Sequence, residues 1–283
     1  ILKRGITYIA AGADYRREAS ISARSVKALM PEMPVAMISD AEPSGDLFDA
    51  YIHIDAERTL ADPVRHMSKS PFDETLCLDT DTYVCGRLDH IFALLECFDF
   101  AASHASVRVA GLMEDIPLSF PEVNGGVILF RKSHKVEAFF LKREKIYDEY
   151  RLECARNQPS LRKALYGSDL RFYILPPENN CRFNGPGYLE GNVCILHGRH
   201  ANPARVADLF NSYTGPRLHT GNELLLVRPG GNVDVIHYGE RPDQRLARVL
   251  RVRGLRWALD NTLFRMFRSG SSGQGRLKGD SRC

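Results

Sequence analysis

Two acids one residue apart, Asp79 and Asp81, follow the apolar run of LCLDTDTYVCG, residues 76–86. Burying a carboxylate is costly unless a positive group answers it. No Lys or Arg adjoins this pair. Either both side chains reach water, or a cation belongs between them. Oxygens from alternate residues can grip a hard divalent ion, so Asp79-Thr80-Asp81 suits magnesium or manganese, and such an ion would in turn hold phosphates. The plain alternative is a loop with two solvated acids, because DxD arises often by chance. A phosphatase that ends a strand in DxDxT is a minor alternative. Here Tyr83 stands where that pattern needs Thr, and the motif lies far from the N-terminus.

A second set of residues could complete such a site. His197 ends the apolar run of VCILHGRH. A lone His is more often structural, but a neutral imidazole is a reasonable third ligand for manganese. Gly198 would let backbone approach a bound group closely, and Arg199 could meet a phosphate. In FPEVNGGVILF, Asn124-Gly125-Gly126 is either a simple turn or a place where backbone comes close to a substrate while Asn124 hydrogen-bonds its hydroxyls. Asn157-Gln158-Pro159 is at least a helix start, with Pro at its first position.

These residues need elements to hold them. Strand-like runs cover 5–12, 34–40, 48–55, 75–81, 98–104 and 125–130, with short buried ones expected in RFYILP and VCIL. Helical spacing covers 18–30, where Ala19, Ala23, Val26 and Met30 share a face, and also 88–98, 134–153 and 159–168. LLLVRPGGNVDVIHY reads as a hairpin across Pro-Gly-Gly-Asn. Strands alternating with helices predict an α/β fold with a mostly parallel sheet, and runs such as TLCL suit strands covered on both faces. In open sheets of this kind ligands bind beyond the carboxyl ends of the strands, which is where Asp79 and Asp81 fall.

Composition sets the outer bounds. With 44% apolar and 26% charged residues in 283, the chain can bury a substantial core. No apolar run approaches the ~18 residues of a membrane span, and the opening ILKRGITYIAAG reads as a strand rather than a signal peptide. Seven cysteines, an odd number without a CxxC pair, suggest reduced thiols and a cytoplasmic protein, and argue against zinc. The net charge of +3 is uneven. Residues 241–283 carry eleven Lys/Arg against three Asp, a balance of +8, which leaves −5 for residues 1–240. We expect a domain at 1–240, a basic amphipathic helical segment at 241–268 and a disordered tail at 269–283. The basic segment suits either an anionic membrane face or packing on the body. Nucleic acid is not expected, because no recognition motif accompanies the charge.

Four segments in order resemble a known family: TYIAAGADYRREASISARSV, SPFDETLCLDTDTYV, FPEVNGGVILFRKS, and NQPSLRKALYGSDLRFYILPPENNCRF with ILHG. Over about residues 5–200 the chain resembles GT-A fold glycosyltransferases that use nucleotide-diphosphate sugars, particularly those similar to glycosyltransferase family 8, the glycogenin and bacterial galactosyltransferase group. The resemblance implies that Asp79, Asp81 and His197 bind Mn2+ (or Mg2+), which bridges the diphosphate of a UDP-sugar donor. It implies Tyr15 stacking on uracil, Ala10, Ala11 and Asp14 lining the base and ribose pocket, and Asn124 and Gln158 at the transferred sugar, beside Thr80, Gly125, Gly198 and Arg199. A basic residue before the DxD strand would help hold the donor, and Arg65 and Lys69 are both candidates.

Two departures stand out. Family members often have Asp-Gln where this chain has Asn157-Gln158, and the run His-x-x-Gly-x-x-Lys is replaced by the shorter His197-Gly198-Arg199. The implied activity is transfer of a sugar to a hydroxyl of an unknown glycan, lipid or protein acceptor, with retention. No obvious carboxylate nucleophile accompanies Gln158, which favours front-face displacement. The alternative is a catalytically silent sugar-nucleotide or glycan-binding protein on the same fold.

Overall fold

The structure, a computed structural model, describes residues 3–106, 115–152, 156–213, 215–228 and 230–239. The segments expected at 241–268 and 269–283 lie outside these residues.

The chain begins with β1 (Arg4–Ile9), α1 (Ala13–Leu29), β2 (Val35–Ser39), β3 (Ala50–His53), α2 (Ala61–His66), β4 (Glu74–Leu78), β5 (Thr82–Val84) and α3 (Asp89–Phe92). It continues with β6 (Phe100–His104), β7 (Val123–Arg131), α4 (His134–Tyr150), α5 (Gln158–Tyr166) and β8 (Phe172–Ile174). β9 (Gly187–Leu189), β10 (Ile195–His197), α6 (Pro203–Asn211), β11 (Arg217–His219), β12 (Glu223–Val227) and β13 (Val233–His237) follow.

The main sheet has the order β3-β2-β1-β4-β7-β6-β8. Its first four strands are mutually parallel, β7 runs against both β4 and β6, and β6 and β8 are parallel again. β4 is buried along its whole length and feeds both faces. Leu76 and Leu78 join Ala19, Ala23 and Val26 of α1 on one side, while Cys77 joins Phe139, Phe140 and Leu161 of α4 and α5 on the other. This two-sided cover is why TLCL is apolar without alternation. It also carries Asp79 out at the carboxyl edge of the sheet, where its N–H donates to the Gly126 carbonyl over 2.8 Å.

Several elements differ from the sequence reading. α1 starts at Ala13, five residues earlier than its apolar periodicity suggests, because its first turn faces the cleft and solvent rather than the core. Gly12 allows this start with a φ of 88°, a left-handed conformation open mainly to glycine, and its N–H donates to Asp40 Oδ1 at 3.0 Å. The helix expected over 88–98 is α-helical only at Asp89–Phe92 and tightens to a 3-10 turn at Ala93–Glu96. β8 is an edge strand with Tyr173 exposed, not a buried one. VCIL does not enter the main sheet: β10 pairs antiparallel with β5 instead.

That small pairing matters most for the site. It sets His197 opposite Thr82, one residue beyond Asp81, and Gly198 N–H donates to the Asp81 carbonyl at 2.9 Å. The remaining sheet, β13-β12-β11-β9, packs with α6 over Phe183, Leu189, Phe210 and Leu224 and includes the expected hairpin.

Candidate metal centre and cleft

Asp79, Asp81 and His197 each present one ligand atom, and the three atoms lie within 4.8 Å of one another. His197 Nε2 is 3.5 Å from Asp79 Oδ2 and 3.3 Å from Asp81 Oδ1. Octahedral coordination with bonds of about 2.1 Å puts neighbouring ligand atoms about 3 Å apart, so the spacing fits a hard divalent ion with modest tightening. An oxygen–oxygen–imidazole set also suits manganese or magnesium better than soft metals.

The orientation of His197 can be derived from one unambiguous donor. The Gly126 backbone N–H donates to Asn124 Oδ1 at 3.0 Å, so that atom is an acceptor. Asn180 therefore presents its Nδ2 to the same oxygen, at 2.9 Å, and turns its Oδ1 to His197 Nδ1, at 2.8 Å. Nδ1 must then carry the proton, and in the neutral ring Nε2 is left as a lone pair facing the acids. His197 is 1% exposed. Burial pulls its pKa down, but the Asp81 and Asp79 carboxylates more than offset this, so it stands raised.

The positive groups missing from the local sequence come from elsewhere in the chain. Arg199 grips Glu18 of α1 at 2.6 and 2.8 Å and reaches Asp81 Oδ2 at 3.4 Å. Arg182 Nη1 lies 2.9 Å from His197 Nε2. Burial alone would raise the pKa of Asp81, but His197, Arg199 and Arg182 together hold it well below the usual carboxylate range. Glu18 also accepts from Thr80 Oγ1 at 3.0 Å, which ties the middle residue of the motif to α1. Arg199 thus serves internal acids while still lining the cleft, with its side chain partly exposed.

A cleft of about 430 Å³ opens over this cluster, lined by Ile9, Ala11, Tyr15, Arg58, Leu60 and Arg182 among others. Tyr15 and Ala11 therefore stand at the cleft wall, with Thr80 beside the acids. Ala10 is fully buried beneath them, and Asp14 pairs with Arg17 in the first turn of α1. Gly198 takes a φ of 139° beside Asn184 and Phe183, so it is needed for the turn after β10.

Neither basic candidate before the DxD strand reaches the cleft lining. Arg65 is engaged by Glu57, Glu144 and Asp148 at 2.8, 3.1 and 2.6 Å, and Lys69 is exposed at the end of the 3-10 turn Met67–Lys69. Among residues before the DxD strand, the basic one in that lining is Arg58, held on Asp40 with a Nε–Oδ2 distance of 2.9 Å. Arg58 carries no sequence signal that separates it from its neighbours.

Asn124 and Gln158 are brought together, Nδ2 to Oε1 at 3.3 Å, in a chain that runs behind His197. Asn124 spends its oxygen on Gly126 and Asn180, leaving one Nδ2 hydrogen for anything else. Gln158 Nε2 donates to Glu122 Oε2 at 3.1 Å, so a carboxylate does adjoin Gln158 in space. Glu122 is fully buried, and burial raises its pKa against the pull of Arg156 and Gln158. Asn157 points elsewhere, donating to the Leu60 carbonyl at 3.3 Å on the cleft rim. Of the two neighbouring glycines, Gly126 is the one in the site. A Cβ there would meet His197 Cε1 at 2.1 Å and Asp79 Oδ2 at 2.6 Å, whereas one at Gly125 would come no closer than 4.0 Å to anything.

Tyr83, at the position where the phosphatase pattern needs Thr, packs on the C-terminal core around Leu196 and Val206. Sequence reasoning missed Asn180, Arg182, Glu18 and Glu122. Only Asn180 had a faint signal, an Asn-Asn pair just after a strand and a Pro-Pro turn.

No protein-family model and no curated protein matches the chain. Among solved structures it is similar to the glycosyltransferase GlyE of Streptococcus pneumoniae TIGR4, with a TM-score of 0.53 and 18% identity over 69% of this chain. The chain spans 55% of the length of that protein. It is also similar to the galactosyltransferase LgtC in complex with donor and acceptor sugar analogs, with 14% identity over 62% of this chain and 74% of the other. The TM-score there is 0.47. The similarity to GlyE establishes the fold: the chain has the GT-A fold, a mostly parallel sheet flanked by helices.

Proposed function

We propose that the chain is a metal-dependent glycosyltransferase that moves a sugar from a UDP-sugar to an acceptor hydroxyl with retention. One observation carries this reading: two acids from the end of β4 and an imidazole from β10 converge in a cleft at the carboxyl edge of a GT-A sheet. Their donor set and spacing favour a divalent ion, held by Asp79, Asp81 and His197. When bound, a divalent ion supplies positive charge against the diphosphate that departs with the donor's electrons.

The chain's own residues do the rest. Tyr15, at the cleft wall with its ring partly exposed, is placed to stack on the base. Arg199 and Glu18 keep Asp81 and Thr80 from moving as charge builds nearby. Asn180 holds the Nδ1–H tautomer of His197. Asn124 and Gln158 lock together, and the remaining Nδ2 hydrogen of Asn124 is available to a sugar hydroxyl. Glu122 is buried behind Gln158, so it orients that amide rather than attacking an anomeric carbon. A front-face displacement, in which a leaving phosphate oxygen takes the acceptor proton, therefore remains the favoured route.

The test is release of UDP from a panel of UDP-sugars with Mn2+. At least one donor should be turned over, and Asp81→Ala should lower that rate by at least a hundredfold. Full turnover by the variant would remove the metal from the reading. Binding of UDP-sugars without release, acceptors included, would leave a binding protein.

A further inference from the structure

In its neutral form, the one a metal needs, the imidazole of His197 has one lone pair on Nε2, and a hydrogen bond and a metal bond cannot both use it. Arg182 Nη1 lies at 2.9 Å from that atom, in the same cleft lining as Asp79 and Asp81. Nδ1 donates its proton to Asn180, so the neutral ring has no second lone pair to offer an ion. Arg182 also sits close enough to Asp81 to stabilise its charge. Its place is not accidental to the backbone. It is flanked by Cys181 and Phe183, both buried in the C-terminal core, and the Cys181 carbonyl accepts from the backbone N–H of His197 at 2.8 Å. The strand that carries the imidazole therefore fixes the segment that carries the guanidinium.

We propose that Arg182 is a guanidinium gate on the Asp79–Asp81–His197 cluster: its Nη1 and a divalent ion are mutually exclusive partners of His197 Nε2, so that binding of the ion expels the side chain. The inference rests on the metal-binding reading of this cluster and adds what sets its affinity. Arginine offsets the charge of Asp81 and occupies the imidazole Nε2, at the expense of ion affinity. An ion gains the site by displacing a charged hydrogen bond and by overcoming a like charge in a partly buried space. Arg182 is half-buried, and His197 is its one side-chain hydrogen-bond partner among the described residues, so displacement by an ion breaks no other side-chain hydrogen bond of the guanidinium.

The experiment is titration of MnCl2 alone into the full chain previously dialysed against chelator, with bound ion counted by electron paramagnetic resonance of free Mn2+. Arg182→Met keeps the apolar stem and removes the guanidinium. It should bind Mn2+ about tenfold tighter or more than wild type. Arg182→Lys, which keeps a charge but loses the planar fork, should show a smaller gain and serves if the Met variant does not fold. Equal or weaker binding by the folded variants overturns the gate while leaving the proposed function intact. Binding by Arg182→Met but not by wild type upholds the gate and removes manganese dependence from the native reaction. Absence of binding in all three forms overturns both.

Discussion

Asn180 Oδ1 accepts the Nδ1–H of His197 over 2.8 Å, and this one bond decides which ring nitrogen faces Asp79 and Asp81. Asn180 is itself held by Asn124, which is held by a backbone N–H of β7. The imidazole is thus aimed by main chain through two side-chain amides. Asn180→Ala should leave the fold intact but weaken Mn2+ binding by about 10- to 100-fold, the usual cost of losing a partner that orients a metal-ligating histidine. Calorimetric titration checks this, and unchanged affinity would show that packing alone orients the ring.

Two adjacent glycines should respond in opposite ways. Gly126→Ala forces a methyl to 2.1 Å from His197 Cε1, so it should destroy ion binding and destabilise the protein by about 1–3 kcal/mol. Gly125→Ala meets nothing nearer than 4.0 Å and should be close to neutral in both respects. Denaturant melts of the pair, with ion titrations alongside, make the comparison. Similar behaviour of the two variants would mean that β7 does not approach the cluster as described.

Glu122 offers a pH test away from the ion. Burial raises its folded pKa, so its contribution to stability is fully present below the unfolded value and is lost as pH rises through the folded one. Glu122→Gln cannot titrate. The melting temperature of the variant should therefore gain on wild type as pH goes from 4 to 7. A constant difference across that range would refute the assignment.

Arg143 is 1% exposed, and its Nε and Nη1 have no hydrogen-bond partner among the described residues. Burial pulls its pKa down to about 10, with Cys77 and Asp79 opposing. Such a guanidinium contributes little to stability, and Arg143→Met should raise it by about 1–3 kcal/mol. Urea denaturation is the measurement; a marked loss of stability would reveal a partner that this geometry lacks.

Much of the architecture was legible in the chain because it depends on neighbours in sequence. The apolar runs at 34–40, 75–81 and 125–130 and the spacing of Ala19, Ala23 and Val26 mark elements whose faces must be buried. The placement of Asp79 and Asp81 just beyond such a run already implied a cleft. Other parts of the site could not be read in this way. The sequence reading offers Arg65 and Lys69 but not Arg58, and only the packing of α2 against α4 turns Arg65 to Glu144 and Asp148. Gly125 and Gly126 differ only in which one the pleat of β7 turns toward His197.

Residue types and local periodicity were thus enough for the sheet, its covering helices and the acids at its edge, since each follows from burying one face of a regular element. The tertiary structure alone decided that Glu18 answers Arg199 from 181 positions away, that Arg182 meets His197 Nε2, and that Asn180 selects its tautomer. The physical reason is that these contacts are short-ranged and directional. They exist only where strand register, as in the antiparallel pairing of β5 with β10, brings distant side chains within about 3 Å.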